Sequence, residues 1–186
     1  ESFDDGWESL GSLGVFSTVV RDERAKSIIS TNDSPDLSFD QSINPYRGCE
    51  HGCVYCYARP THAYLGHSPG LDFESKLYAK VNAVELLEYE LSRPGYVPRT
   101  IALGAVTDPY QPIEREKRIS RGILEVMERT GHPVGIVTKS AGIVRDIDIP
   151  TTGENSPDAA ALAAVVEPCA RGDGHQAGGG RPLRYS

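Results

Sequence analysis

Two short apolar runs decide the fold class: Arg99-Thr-Ile-Ala-Leu-Gly-Ala-Val106, and Pro133-Val-Gly-Ile-Val-Thr-Lys139 some thirty residues on. Each opens beside a proline and is too short for a helix, which is how a buried parallel strand reads. The first ends at the turn signal Thr107-Asp108-Pro109. Between them, residues 113–129 place Ile119, Ile123, Leu124 and Met127 on one stripe, with the charged cluster Glu114 to Arg118 facing water and Gly131 at the expected stop. Arg115, Lys117, Arg118 and Arg121 alternate with Glu114 and Glu116, so they read as a solvated helix face and not as a nucleic-acid groove.

Working outward, the stretch from Ser75 to Arg93 carries Leu77, Val81, Val84, Leu87 and Leu91 at steps of three and four, predicting an amphipathic helix. Leu37 to Tyr46, with Phe39 and Ile43, predicts the first strand and stops at Asn44-Pro45. Strand, helix, strand, helix, strand predicts an α/β fold with a parallel sheet of βαβ units. Residues 1–37 read as an irregular N-terminal extension with one short strand at Val15 to Val20, and 38–149 as the core. Residues 150–186, rich in Gly, Ala and Pro, read as a low-complexity, disordered tail with one short helix at Asp158 to Val166.

The chain has 186 residues, 19 basic and 26 acidic side chains and a formal net charge of −7. Its pI near 5.2 argues against binding nucleic acid by bulk charge, although a local basic groove stays open. No apolar run reaches the roughly 18 residues of a membrane span. The acidic start, Glu1-Ser2-Phe3-Asp4-Asp5, is unlike a signal peptide. Of the four cysteines, three fall within eight residues, too tight for separate bridges, so a reducing, cytoplasmic compartment is expected.

Those three, Cys49, Cys53 and Cys56, have the spacing C-x3-C-x2-C. Three thiolates in one tight loop suit three corners of a cubic iron–sulfur cluster, leaving the fourth iron for a non-protein ligand. Zinc competes: it wants four ligands, and the fourth would be His51, His62, His67 or Cys169. Buried thiols without a metal are the third reading. His51, His62 and His67 also read simply as polar loop residues, Thr107-Asp108-Pro109 as a plain turn, and Lys139 as a solvated strand-end lysine. Ligands do, however, gather at the carboxyl ends of parallel strands.

The longer string from Asn44-Pro45-Tyr46-Arg47-Gly48 through Cys56-Tyr57-Ala58-Arg59-Pro60, then Thr107-Asp108-Pro109-Tyr110-Gln111-Pro112 and Thr138-Lys139-Ser140 with Arg145-Asp146, resembles the radical S-adenosylmethionine (SAM) enzymes. Within them it is similar to the spore photoproduct lyase-like branch, often labelled DNA repair photolyase-like. The resemblance implies a partial (β/α) TIM-like barrel, of which about the first three βα units are present here. It implies a [4Fe-4S] cluster on Cys49, Cys53 and Cys56, with S-adenosyl-L-methionine on the open iron. Tyr55 would stack near the adenine, Thr107 and Asp108 would face the methionine ammonium, and Lys139 its carboxylate. A reductant such as flavodoxin or ferredoxin and a nucleic-acid substrate belong to the same expectation, and no membrane does. Arg47 and Arg59 flank the cluster, where either could tune its potential or touch substrate.

Two departures stand out. The lyases proper carry a cysteine hydrogen donor two residues before the position of Thr107, and here that residue is Ala105, so thymine-dimer lyase activity is not expected. The family-like pattern also stops after Arg145-Asp146-Ile147-Asp148, so a truncated or frameshifted chain is expected.

Overall fold

A computed structural model describes residues 17–37, 39–53 and 55–149, and the backbone of 164–166. It shows a mixed α/β fold with two open mixed sheets. The larger sheet has the order β2-β3-β6-β7-β8, built from β2 (Ile29–Thr31), β3 (Gln41–Ile43), β6 (Ile101–Leu103), β7 (Val134–Thr138) and β8 (Ala164–Val166). Strands β3, β6, β7 and β8 run parallel, and β2 closes one edge antiparallel. The smaller sheet, β1-β5-β4, sets β5 (Lys76–Lys80) parallel to β1 (Val19–Glu23) and antiparallel to β4 (Tyr46–Arg47).

The parallel core expected from the two apolar runs is present, with β6 and β7 in the register Ile101↔Val134 and Leu103↔Ile136. Helix α1 (Leu71–Ser75) runs directly into β5, and the connection from β6 to β7 carries α3 (Glu114–Lys117) and α4 (Ile119–Thr130). Ile43, Ile101, Leu103, Val134 and Ile136 lie in one buried cluster with Leu87 of α2 (Ala83–Leu91) and with Ile123, Leu124 and Met127 of α4. Each such side chain contributes about 1.5–3 kcal/mol on leaving water. Helices α2 and α4 pack closely because position 122 is glycine: a Cβ there would stand 2.7 Å from Val84 Cγ2.

Several expectations need correction. The helix read over Ser75 to Arg93 is strand β5 followed by α2, starting at Ala83. Leu77 and Ala79 are both buried, the period of a strand, and the five-residue register with β1 pairs the segment's backbone. The four-residue step from Leu77 to Val81 imitates a helix by coincidence, since Val81 is exposed. The stretch expected to be irregular holds β1 and β2; the strand read at Val15 to Val20 is shifted to Val19–Glu23, and its first two residues lie outside those described. The first core strand is only Gln41–Ile43, with β4 following the Asn44-Pro45 turn. The helix over 113–129 is broken at Arg118, whose φ of 51° is left-handed. Glu114 does not face water: it is 1% exposed. Val137, within the apolar run that reads as a buried strand, is exposed. Ala164–Val166, read as the end of a helix, pairs with β7 as a strand, while residues 158–163 lie outside those described.

Candidate functional site

The cysteine loop follows β3 and β4, and it rests on the loop that leaves the carboxyl end of β6. On its other side the loop lies close against Phe73 and Leu77, an approach that Gly48 makes possible. Its φ is +75°, and a Cβ there would stand 2.7 Å from Leu77 Cδ2 and 2.8 Å from the Phe73 carbonyl oxygen. The Cys49 N–H donates to that same carbonyl at 2.8 Å. Cys49 is buried at 6% exposure and Cys53 and Cys56 are half-buried. All three are thiols and form no disulfide with another described residue; Cys169 lies outside the described residues.

Burial pushes the Cys49 thiol up to about 12, against the lowering effect of hydrogen bonds from the His51 and Asp108 backbone. A coordinating metal reverses that balance, because it binds the thiolate. Among the described residues, no three His, Cys, Asp or Glu side chains converge closely enough to hold a metal ion. The donor set nonetheless suits a cluster by its chemistry: three soft thiol donors on one short loop.

Arg59, one of the two flanking arginines, braces the loop from within. Its Nε and Nη2 donate to the Cys53 carbonyl at 3.2 and 3.1 Å, Nη2 also pairs with Glu74, and the guanidinium sits 5.6 Å from the Phe73 ring centre. Arg47 turns away, pairing with Glu23 at 2.9 Å.

Asp108 is the junction of three segments. Its Oδ1 accepts from Thr138 Oγ1 at 2.7 Å and the Tyr110 N–H at 2.8 Å, and its Oδ2 accepts from the Lys139 N–H at 2.7 Å. His51 Nε2, from inside the cysteine loop, lies 3.3 Å from Oδ2. Burial acts to raise the Asp108 pKa, but these donors, His51 foremost, outweigh it and hold the carboxyl below its usual range. The carboxylate is therefore an anion at neutral pH, at the carboxyl ends of β6 and β7.

The other expected ligand-binding residues differ in exposure. The Thr107 hydroxyl is buried and donates to the Tyr46 carbonyl at 2.9 Å. Lys139 is exposed, and Tyr55 is 97% exposed. Tyr57, not singled out by the sequence, donates its hydroxyl to the Ala105 carbonyl and so ties the cysteine loop to the end of β6. His62 is buried, with Nε2 2.9 Å from the Lys76 carbonyl, and His67 Nε2 lies 2.6 Å from the Tyr78 hydroxyl.

Beneath these lies a buried ionic network. Glu114 accepts from the Tyr46 hydroxyl and from the Ser120 and Arg121 N–H groups at 3.1 and 3.2 Å, which caps the start of α4. Asp146, with a fully buried side chain, pairs with Arg121 at 2.9 Å and Arg145 at 2.8 Å. Arg121 is thus committed to this network and is not part of a solvated face. The Arg145-Asp146 pair was visible in the sequence, whereas the partners Tyr46 and Glu114 join it only through folding.

Comparison with known proteins finds relatives over part of the chain. The chain is 40% identical over 131 residues, 70% of its length, to an uncharacterized protein of Mycobacterium tuberculosis and to one of Mycobacterium bovis. It covers 38% of each of those relatives. An uncharacterized protein of Methanocaldococcus jannaschii is 29% identical over 126 residues, 68% of this chain and 44% of the relative. No protein-family model and no solved structure matches. No helix among the described residues is long and apolar enough to cross a membrane.

Proposed function

We propose that this chain is the cofactor-binding part of a radical SAM enzyme, its parallel strands the first units of a partial (β/α) barrel. The observation that supports this reading is that Cys49, Cys53 and Cys56 share one loop, which Tyr57 ties to the end of β6 and His51 brings within 3.3 Å of the Asp108 carboxylate. When bound there, a [4Fe-4S] cluster and S-adenosylmethionine supply a 5′-deoxyadenosyl radical by reductive cleavage of a C–S bond, with electrons from a flavodoxin or ferredoxin.

The chain's own residues hold and orient. Cys49, Cys53 and Cys56 are the iron ligands. Asp108 presents a fixed negative charge to an ammonium group, and Lys139 a positive one to a carboxylate, a pairing that strengthens as water leaves the cleft. Thr107, whose hydroxyl is committed to the Tyr46 carbonyl, shapes the cleft wall. Tyr55 offers an exposed aromatic face for an adenine. The substrate belongs to the whole protein, and nucleic acid is the class the resemblance favours.

Anaerobic reconstitution with iron and sulfide tests the reading. A brown protein with visible thiolate-to-iron absorption, lost on replacing any of the three cysteines by alanine, is expected, together with 5′-deoxyadenosine on adding SAM and dithionite. Colourless protein carrying stoichiometric zinc would sink the proposal. Cluster absorption without 5′-deoxyadenosine would refute radical generation by this chain alone.

A further inference from the structure

Gln111 is fully buried at 0% exposure, so its amide must find partners inside the protein. It finds them on the cysteine loop. Nε2 donates to the Gly48 carbonyl at 3.2 Å, and Oε1 accepts from the Glu50 N–H at 3.1 Å. The two partners flank Cys49. The Cys49 N–H is meanwhile taken by Phe73, so the backbone on either side of this one thiol is fixed by hydrogen bonds from two distant segments. Gln111 is itself rooted, because its carbonyl accepts the Glu114 N–H at 2.9 Å as the chain turns into α3. Around Cys53 the backbone is held from another direction: its carbonyl accepts from Arg59 and from the Cys56 N–H.

We infer that Gln111 is a positioning residue for Cys49, clamping the backbone on both sides of the thiol and so setting where that sulfur meets a cluster. This rests on the proposed cluster-binding function, but the clamp itself acts on the metal-free chain. A primary amide serves both partners at once, since one needs a donor and the other an acceptor. Backbone held around a metal ligand acts as an outer shell, and loss of such partners typically weakens metal binding by about 10–100-fold.

The test compares the wild-type chain with Gln111→Leu, which removes both hydrogen bonds, and Gln111→Glu, nearly isosteric, which keeps the acceptor for Glu50 and loses the donor for Gly48. Leu124→Val, a remote core change, serves as a stability-matched control. In the metal-free chain, alkylation of Cys49 followed by peptide mass spectrometry should accelerate about tenfold in Gln111→Leu, with Cys53 and Cys56 within about twofold of wild type. In the reconstituted protein, Gln111→Glu should shift the cluster midpoint potential downward, because it replaces a donor by negative charge, and Leu124→Val should leave the potential and the Cys49 rate alone. Gln111→Glu keeps the question answerable if Gln111→Leu does not fold. Unchanged Cys49 reactivity and potential in folded Gln111 variants would overturn the inference, leaving Gln111 a filler of space. Failure of the wild-type chain to take up a cluster would instead overturn the proposed function, and the Cys49 rates would still decide the clamp.

Discussion

Replacing Glu114 by alanine should destabilise the chain far more than its place in a charged, water-soluble-looking helix suggests. The carboxylate is 1% exposed and serves the Tyr46 hydroxyl and the Ser120 and Arg121 N–H groups. Removing it uncaps α4, at about 1 kcal/mol. It also strands a buried tyrosine hydroxyl, whose desolvation costs about 1–3 kcal/mol. Arg145 loses a weaker partner at 3.5 Å but keeps Asp146. The sum is about 2–4 kcal/mol, a large share of the roughly 5–15 kcal/mol that holds a domain together. Urea denaturation followed by circular dichroism, with tyrosine fluorescence as a second probe, measures it. Glu116→Ala, an exposed position on the same short helix, should move stability by less than about 0.5 kcal/mol. If Glu114→Ala and Glu116→Ala come out equal, Glu114 faces water in solution and the buried network is refuted.

Three further outcomes are expected. At Asp146, burial acts to raise the pKa, but the paired Arg145 and Arg121 outweigh it and hold it low, so its stabilisation is present above the ordinary carboxylate pKa and is lost as pH falls through the lower folded value. Asp146→Asn should therefore cost about 2 kcal/mol at pH 7, with the gap to wild type closing below about pH 4; a gap independent of pH would contradict the pairing. Lys80 is pushed down to about 8, first by burial and then by the neighbouring Arg47 charge. Wild-type stability should rise as pH climbs from about 8 towards 10, because the unfolded chain then binds the extra proton. Lys80→Met should be about 1 kcal/mol more stable at pH 7 and lose that advantage over the same range in chemical denaturation. Arg118→Gly relieves a left-handed backbone position and should raise the thermal midpoint, by about 0.5–1 kcal/mol of stability; a lower midpoint would show that the arginine side chain matters more than its φ.

How far these features could be read in advance depended on their range. Strands β6 and β7 and the stop at Gly131 follow from local chemistry, namely apolar runs too short for a helix and a residue that accepts left-handed geometry. Strand β5 did not, because its identity is set by β1, which meets it across more than fifty residues, and its short apolar pattern satisfies either period. The break at Arg118 was equally hidden, since nothing in an arginine announces a positive φ.

The site divides along the same line. By itself the sequence determined the donor chemistry: three thiols spaced for one loop, and an acid and a lysine at the ends of two strands. Covalent spacing is local and survives any fold that leaves the loop intact. Only the tertiary structure decided that Asp108 links His51 to Lys139, that Gln111 spans Cys49, and that Glu114 is buried under Tyr46. Those are pairings of polar groups about thirty to seventy residues apart, and a buried polar group shows its purpose only when the partner that offsets its desolvation is in place.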